Sequence, residues 1–271
     1  MISVRRIGVQ AAAGLLAASL FVMPAGAADF YDGMAAYERG DFAGAIKEWQ
    51  PLADAGDAMA QFNLGNLYYG GKGFAIDRKS AIEWWQRAAE QGVAQAQHNL
   101  ASIYISADGV AQDYDKAIAW LSRAAELGLN RSRYTLGKMY EYGLGTGRDY
   151  ARMAELYRQA AEAGFHRAQY NLGKAYRDGR GVEQDPERSA AWFLRAARQG
   201  YGKAQSHIAR RLAEGEGIAQ DRTEAYKWYV LALAQGVERV TEPLAALKAS
   251  LSADEIAEGE RRAAAFEPVA E

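Results

Sequence analysis

Residues 60–92 read AQFNLGNLYYGGKGFAIDRKSAIEWWQRAAEQG, and residues 168–200 read AQYNLGKAYRDGRGVEQDPERSAAWFLRAARQG. The two stretches share a Leu-Gly pair, a glycine-rich middle, an aspartate and an alanine-rich segment that ends in glycine. That closing glycine recurs every 36 residues, at Gly56, Gly92, Gly128, Gly164, Gly200 and Gly236. A fixed period of this length is typical of a repeat protein, here with five complete units between Asp57 and Gly236.

Each unit contains two predicted helices with their own residue columns. In the first helix Leu64 is followed four residues later by Tyr68, and this spacing places both side chains on one helical face. A glycine-containing loop leads to Asp77, whose residue type is a favoured N-cap and should open the second helix. The second helix carries two adjacent bulky columns, which begin at Trp84 and Trp85, and then an alanine column. The pattern therefore predicts two helices in every unit.

The two bulky columns account for every tryptophan of the chain. The six are Trp49, Trp84, Trp85, Trp120, Trp192 and Trp228. A buried aromatic ring removes a large apolar area from water, so regularly spaced rings are expected in the packing between helices. A platform for a cofactor or a sugar is the competing interpretation. Because all six rings obey the period, the sequence favours packing.

The repeated pattern resembles the Sel1-like repeat family, a longer-looped relative of tetratricopeptide repeats. The loop glycine, the cap aspartate and the closing alanine and glycine recur five times in register, and the Leu-Gly pair occurs in three of the five units. The resemblance implies an all-α, right-handed α-solenoid of antiparallel helix pairs, with the first helices lining the concave surface. Departures are small: Ala101 and Ala209 replace the glycine after the leucine column, and Leu156 replaces a tryptophan.

The ends of the chain differ from the repeats, as the ends of a solenoid must. We predict a signal peptide at residues 1–27, a tetratricopeptide-like capping pair at 28–56, the five repeats at 57–236 and capping helices at 237–271. Pro51 lies inside the second helix of the first cap and should kink it or end it early. Ser252 and Glu255 have the spacing of a capping box, which should open the last helix.

The N-terminal segment has the pattern of a secretory signal. Arg5 and Arg6 precede an apolar run from Ala11 to Met23, and residues 25–27 form an A-x-A cleavage site. A membrane anchor is the alternative, but the apolar run is shorter than the ~20 residues that a spanning helix needs. We therefore expect an exported protein, in the periplasm or the medium, with no transmembrane segment after cleavage.

Composition excludes several classes of function. The chain has 271 residues, 32 Lys and Arg against 34 Asp and Glu, and no cysteine. Without cysteine there is no disulfide scaffold, no thiolate metal site and no cysteine nucleophile. The near balance of charge gives no general bias towards nucleic acid, so no nucleic-acid partner is expected.

The sequence is poor in catalytic motifs. It lacks the H-E-x-x-H, G-x-S-x-G, S-x-x-K and Walker patterns. The glycine-rich residues 143–147 occupy the loop that every unit has, which favours a structural turn over a phosphate loop. His98, His166 and His207 lie in different units without a partner at metal spacing, and we interpret them as ordinary surface histidines. We expect no catalytic residue, no cofactor and no metal.

One stripe of the first helix is the candidate functional surface. Met59, Phe62, Asn63 and Asn66 follow the i, i+3, i+4, i+7 spacing opposite Leu64. In tetratricopeptide-like families this stripe faces the peptide-binding groove. The stripe is neutral in the first two repeats and basic in the last three. The candidate groove residues are Met59, Phe62, Asn63, Asn99, Arg131, Tyr134, Lys138, Arg167, Tyr170, Asn171, Lys174, Lys203 and Arg210.

Two interpretations of function follow, from different classes. The first is a non-enzymatic scaffold or regulator of the cell envelope, whose groove binds an extended acidic segment of another envelope or exported protein. By resemblance, bacterial Sel1-repeat proteins serve in envelope assembly, signalling, polysaccharide export and host contact. The second is a hydrolase acting on cell-wall or β-lactam-like substrates, which the absence of a nucleophile–base pair disfavours. For the basic stripe itself, the alternative is a solvated helix face without a ligand.

Overall fold

The computed structural model describes residues 29–73 and 75–269. The predicted signal peptide lies outside these residues. The first described helices are α1 (Phe30–Glu38) and α2 (Phe42–Asp54), which pack against each other as a pair. Throughout residues 29–73 and 75–269 the only regular secondary structure is helical.

Ten helices of equal length follow and form five pairs. They are α3 (Ala58–Gly70) and α4 (Arg78–Glu90), α5 (Ala94–Ser106) and α6 (Tyr114–Glu126), α7 (Asn130–Tyr142) and α8 (Tyr150–Glu162), α9 (His166–Asp178) and α10 (Pro186–Arg198), and α11 (Gly202–Glu214) and α12 (Arg222–Ala234). A short 3-10 helix (Glu238–Val240), α13 (Thr241–Lys248) and α14 (Ala253–Ala264) complete the described chain. Each helix of the pairs packs mainly on its neighbours in sequence. The fold is the expected all-α, right-handed α-solenoid.

The aspartates that were predicted to open the second helices are N-caps. The Asp77 carboxylate accepts a hydrogen bond from the Ser80 amide at 3.0 Å, and Asp113 accepts one from the Lys116 amide at 2.9 Å. The same bond forms at Asp41, Asp149, Asp185 and Asp221. Because each carboxylate satisfies an amide that has no partner within its own helix, the start of the second helix is fixed in every unit.

The glycine that follows the leucine in the first helix, at Gly65, Gly137 and Gly173, forms what we call the glycine column. It lets a ring of the second helix approach the backbone of the first. A Cβ atom at Gly137 would lie 2.7 Å from Tyr157 Cε1, a distance too short for any side chain. Ala101 stands where this column departs from glycine, and it lies in one apolar cluster with Leu121, which replaces the ring. The smaller leucine leaves room for the methyl group, so the departure at Ala101 has a steric reason.

The two bulky columns of the second helices differ in burial. The inner column is buried throughout; its members are Trp49, Trp85, Leu121, Tyr157, Phe193 and Tyr229. In the outer column Trp84, Trp120 and Trp192 are only partly buried, and an arginine lies over each ring. Trp228, the last member of the outer column, is buried and packs against Phe266 at 5.3 Å. Packing explains both columns, but the first three outer tryptophans are half covered rather than enclosed.

Buried glutamines of the first helices connect neighbouring units. Gln61 donates to the Ala53 carbonyl at 3.0 Å, and Gln97 donates to the Ala89 carbonyl at 2.9 Å. Gln169 and Gln205 make the same bond to the helices before them. At this position the third repeat has Arg133, whose Nη1 donates to Asn130 of its own helix and whose buried Nε has no partner. The α6–α7 junction therefore lacks the glutamine tie.

The ends of the described chain follow the predictions except at Pro51. Ser252 and Glu255 form the expected capping box, and α14 begins at the next residue after Ser252. Helix α2, however, continues through Pro51 to Asp54, and the Ala55 amide donates to the Pro51 carbonyl at 3.0 Å. The prediction of an early end is wrong because buried Trp49 and Ala53 hold the helix on both sides of the proline. None of the described helices is both long and apolar enough to span a membrane.

Candidate functional site

The stripe residues of α3, α5, α7, α9 and α11 form a continuous surface, which we call the first-helix face. Side chains of successive first helices contact each other along it. The Asn99 amide donates to Asn66 Oδ1 at 3.4 Å, between α5 and α3. Between α9 and α7, the Asn171 amide donates to the Tyr134 hydroxyl at 3.2 Å. These bonds order the polar side chains that a bound segment would meet.

The neutral end of the first-helix face lies on α3 and α5. Met59 is 46% exposed, whereas Phe62 packs partly into the apolar cluster beneath it. The Asn63 amide is directed to Met34 Sδ at 3.7 Å. A shallow depression of about 180 Å³ lies next to these residues, and its polar lining includes Asn66, Asn99, Ser102 and Ser106. This end offers hydrogen-bonding groups and little charge.

The two tyrosines of the stripe take part in helix packing. Tyr134 stacks on Tyr157 with ring centroids 5.7 Å apart. Tyr170 packs against Phe193 and Tyr201 at 5.7 and 5.3 Å. Both side chains are half-buried, so a ligand meets only part of each ring. Packing against core rings therefore explains the two tyrosines as well as a binding groove does.

The six basic residues of the stripe fall into two rows with different partners. The open row, nearer the N-termini of the helices, comprises Arg131, Arg167 and Lys203, and all three are exposed. Within residues 29–73 and 75–269, the charged groups of these three residues form no ion pair with an acid. The open row therefore presents three unneutralised positive charges.

The second row, nearer the C-termini, comprises Lys138, Lys174 and Arg210, and two of these are neutralised by acids of the same unit. Lys138 lies 3.6 Å from Glu141 and donates to the Tyr142 hydroxyl at 2.9 Å. Burial opposes the charged form of Lys138, but the bond to Tyr142 and the charge of Glu141 raise its pKa overall. Arg210 pairs with Glu216 at 2.6 Å and also with Glu214. The sequence treats the six charges as equal, but the structure distinguishes the open row from this paired row.

The three histidines are not ordinary surface residues, contrary to the sequence interpretation. His98 is only 8% exposed, and burial, assisted by the charge of Arg131, lowers its pKa to about 4. His207 stacks on Phe193 at 4.7 Å, and burial and the charge of Arg239 lower its pKa to about 3. His166 is half-buried, with a pKa that burial also lowers. The interpretation fails because side chains of a neighbouring unit cover each ring, which a single column cannot reveal.

The structure also shows one serine–histidine pair that the sequence did not reveal. His98 Nδ1 lies 2.9 Å from the Ser132 hydroxyl, between α5 and α7. Ser132 is 0% exposed, so its oxygen has no path to a substrate. The charged group that lowers the pKa of His98 together with burial is the positive Arg131. A catalytic histidine would instead be oriented by a carboxylate. The pair therefore serves packing, and in the described part of the chain no cluster of three His, Asp or Glu residues is placed to hold a metal.

Comparison with known proteins gives matches in sequence and in structure. The family model described as Sel1 repeat matches residues 58–93, 94–129, 131–165, 166–201 and 202–237. Among solved structures, c5321, a protective antigen of uropathogenic Escherichia coli with an SLR fold, superposes with a TM-score of 0.77 at 30% identity. That match covers 87% of this chain and 52% of the antigen, so the chain spans about half the length of that relative.

A second similar structure is a Sel1 repeat protein from Oxalobacter formigenes, with a TM-score of 0.72 and 30% identity. The similarity covers 76% of this chain and 85% of that protein. No curated protein is significantly similar to the chain in sequence.

Proposed function

This chain belongs to the Sel1 repeat family, and from that premise we propose that it is an exported scaffold or regulator of the cell envelope. Proteins with these repeats are generally protein-interaction scaffolds. The first-helix face binds an extended, acidic segment of another envelope or exported protein. The observation that carries the proposal is the open row of Arg131, Arg167 and Lys203.

The spacing of the open row suits an extended chain. Its members occupy equivalent positions on successive first helices, and packed helices lie about 8–10 Å apart. An extended segment advances about 3.3 Å per residue and presents every second side chain on the same face, so a segment with acids at alternate positions offers them to the row. Three unpaired cations on one face strengthen the field that attracts such a segment.

Amide side chains supply the sequence-independent part of the binding. Asn99 and Asn171 lie half-buried on the first-helix face. Asn99 uses one of its two N–H groups, and Asn171, whose N–H groups donate to Tyr134 and to the Arg167 carbonyl, can still accept through its oxygen. Such groups can bond the main chain of an extended peptide, while the open row selects for acids. The neutral and basic ends of the face thus recognise different parts of one segment.

Charge reversal of the open row tests the binding. The wild-type mature chain should capture partners from an envelope extract less well as the salt concentration rises. Arg131→Glu, Arg167→Glu and Lys203→Glu together should abolish this salt-sensitive capture. The matched control is Lys47→Glu, Arg148→Glu and Arg152→Glu, which changes the net charge equally at exposed positions outside the first helices. Equal capture by the two triple variants would show that the first-helix face is only a solvated surface.

Export rests on the pattern of residues 1–27 and is tested separately. Intact-mass measurement of the protein from its native cells should show a chain that begins near Ala28. A mature mass that includes Met1 would contradict export by signal cleavage. Turnover of nitrocefin and muropeptides by the purified chain tests the hydrolase alternative, for which the burial of Ser132 gives no support.

A further inference from the structure

Arg211 occupies a core position at which the other repeats have apolar residues. The column reads Leu67, Ile103, Met139, Ala175 and Arg211, and all five are buried. The Arg211 side chain is 0% exposed, and burial is the main cause that lowers its pKa. Burying a guanidinium is costly, and an apolar residue of similar size would pack here at least as well. Stability alone therefore does not account for this arginine.

Arg211 and Arg210 both contact the carboxylate of Glu216. Glu216 Oε1 lies 3.2 Å from Arg211 Nη1, and Glu216 Oε2 lies 2.6 Å from Arg210 Nη2. Arg177, on α9, forms its own ion pair with Asp178 at 2.6 Å, and its positive charge adds to the burial that lowers the pKa of Arg211. We call Arg210 and Arg211 the arginine cage.

The carboxylate of Glu216 leaves the arginine cage incompletely satisfied. The Nε and Nη2 atoms of Arg211 are buried and have no hydrogen-bond partner, although Nη1 also donates to the Glu216 carbonyl at 3.1 Å. A guanidinium presents its donors in a planar fork that two carboxylate oxygens can engage together. Glu216 engages only one nitrogen of Arg211, so access to the buried donors requires that Glu216 leaves, and a carboxylate that took its place could engage two nitrogens.

Glu216 reaches the arginine cage from a position that water can also reach. It lies in the loop between α11 and α12, and its side chain is 37% exposed. A carboxylate that leaves the cage from this loop becomes hydrated, which limits the cost of its displacement. On the opposite side, the Arg211 guanidinium lies 5.6 Å from the Phe193 ring, which is itself stacked on His207. Arg211 is thus enclosed by the core, whereas Glu216 lies where water can reach it.

We propose that the arginine cage is a carboxylate-binding site in which Glu216 is an internal place-holder, displaced by an acidic side chain of the bound protein segment. The inference rests on the proposed function, because Arg210 belongs to the first-helix face and the cage lies at its basic end. It adds the position at which one acid of the segment is anchored. It also assigns Glu216 the role of a competitor, which an acidic side chain of the segment must displace in order to bind.

Two variants of the mature chain separate this role from a structural one. The probe is a fluorescein-labelled ten-residue peptide of alternating Glu and Ser, with the matching Gln-Ser peptide as control, and the readout is anisotropy. Arg211→Met, which introduces the residue found at Met139, should weaken binding of the Glu peptide about tenfold while the melting temperature stays equal or rises. Glu216→Gln removes the competing charge and should strengthen binding about threefold.

Each outcome bears on the proposal. If the chain binds the Glu peptide, and neither Arg211→Met nor Glu216→Gln changes the affinity, the arginine cage is not a ligand site although the first-helix face binds acids. If wild-type chain and Glu216→Gln bind the Glu and Gln peptides equally, both the cage and the acidic segment of the proposed function are wrong. Should Glu216→Gln unfold, Glu216→Asp keeps the charge on a shorter arm and should likewise strengthen binding; unchanged affinity would again overturn the cage.

Discussion

Gly65 lies directly beneath the indole of Trp85, so that a Cβ atom added at Gly65 would stand 2.3 Å from Trp85 Cδ1. Real Cβ atoms do not approach other atoms so closely, and Trp85 is buried on all sides. Glycine is therefore required here for the close approach of helix α3 to a ring of helix α4, although its backbone is helical.

Gly65→Ala should lower the free energy of unfolding by about 1–3 kcal/mol, because the displaced ring outweighs the better helix propensity of alanine. Urea denaturation of the mature chain measures the change. Gly147→Ala is the matched control, since Gly147 has no atom within 4 Å of an added Cβ. If the two variants are equally stable, the contact between Gly65 and Trp85 is not a tight one.

The two bulky columns should differ in their contribution to stability. Trp85→Ala, in the buried inner column, should cost about 3–5 kcal/mol. Trp120→Ala, in the half-covered outer column, should cost only about 2 kcal/mol because less apolar surface is lost. Chemical denaturation that ranks Trp120 above Trp85 would contradict this assignment of the columns.

Arg133→Gln should stabilise the chain, because it restores the bond that Gln97 and Gln169 make at their junctions. The expected gain is about 1 kcal/mol in the free energy of unfolding, the usual value of one net hydrogen bond. It is measured by urea denaturation beside Gln97→Arg, which should lose a similar amount. If neither substitution changes the free energy of unfolding, the glutamine tie contributes nothing to stability.

His98 should make stability depend on pH below neutrality. Its pKa is about 4 in the folded chain, against about 6.5 when unfolded, so the unfolded chain binds a proton that the folded chain does not. The free energy of unfolding therefore falls as the pH is lowered from 6.5 to 4, by up to about 3 kcal/mol from this residue. Unfolding curves of His98→Asn should lack this loss. If the free energy of unfolding depends on pH in the same way for the two proteins, the pKa of His98 is not lowered in the folded chain.

Features that depend on one unit could be predicted from the sequence. The helix pairs and the cap at Asp77 follow from period, helical spacing and capping preference, each of which acts within a short segment. Trp84 and Trp85 differ in burial because they are adjacent in one helix, where successive side chains point about 100° apart around the axis. Only the position of the neighbouring unit shows which of the two rings it encloses.

Features of the site that depend on contacts between side chains could not be predicted. Lys138 and Lys174 occupy equivalent stripe positions, yet only Lys138 has an acid, Glu141, three residues further on, in a geometry that pairs with it. The burial of Arg211 and its contact with Glu216 depend on the loop after α11. The one available signal was the charged residue in an otherwise apolar column, which the period makes visible.

The missing glutamine tie at Arg133 has a mechanical consequence. The α6–α7 junction separates the two repeats with a neutral first-helix face from the three with a basic one. In an array of units coupled to their neighbours, deformation concentrates at the most compliant junction. Bending of the superhelix should therefore occur mainly between α6 and α7, where it changes the angle between two stiffer arms. An elongated ligand that holds both arms would set that angle, so the protein's curvature would report whether both ends are occupied.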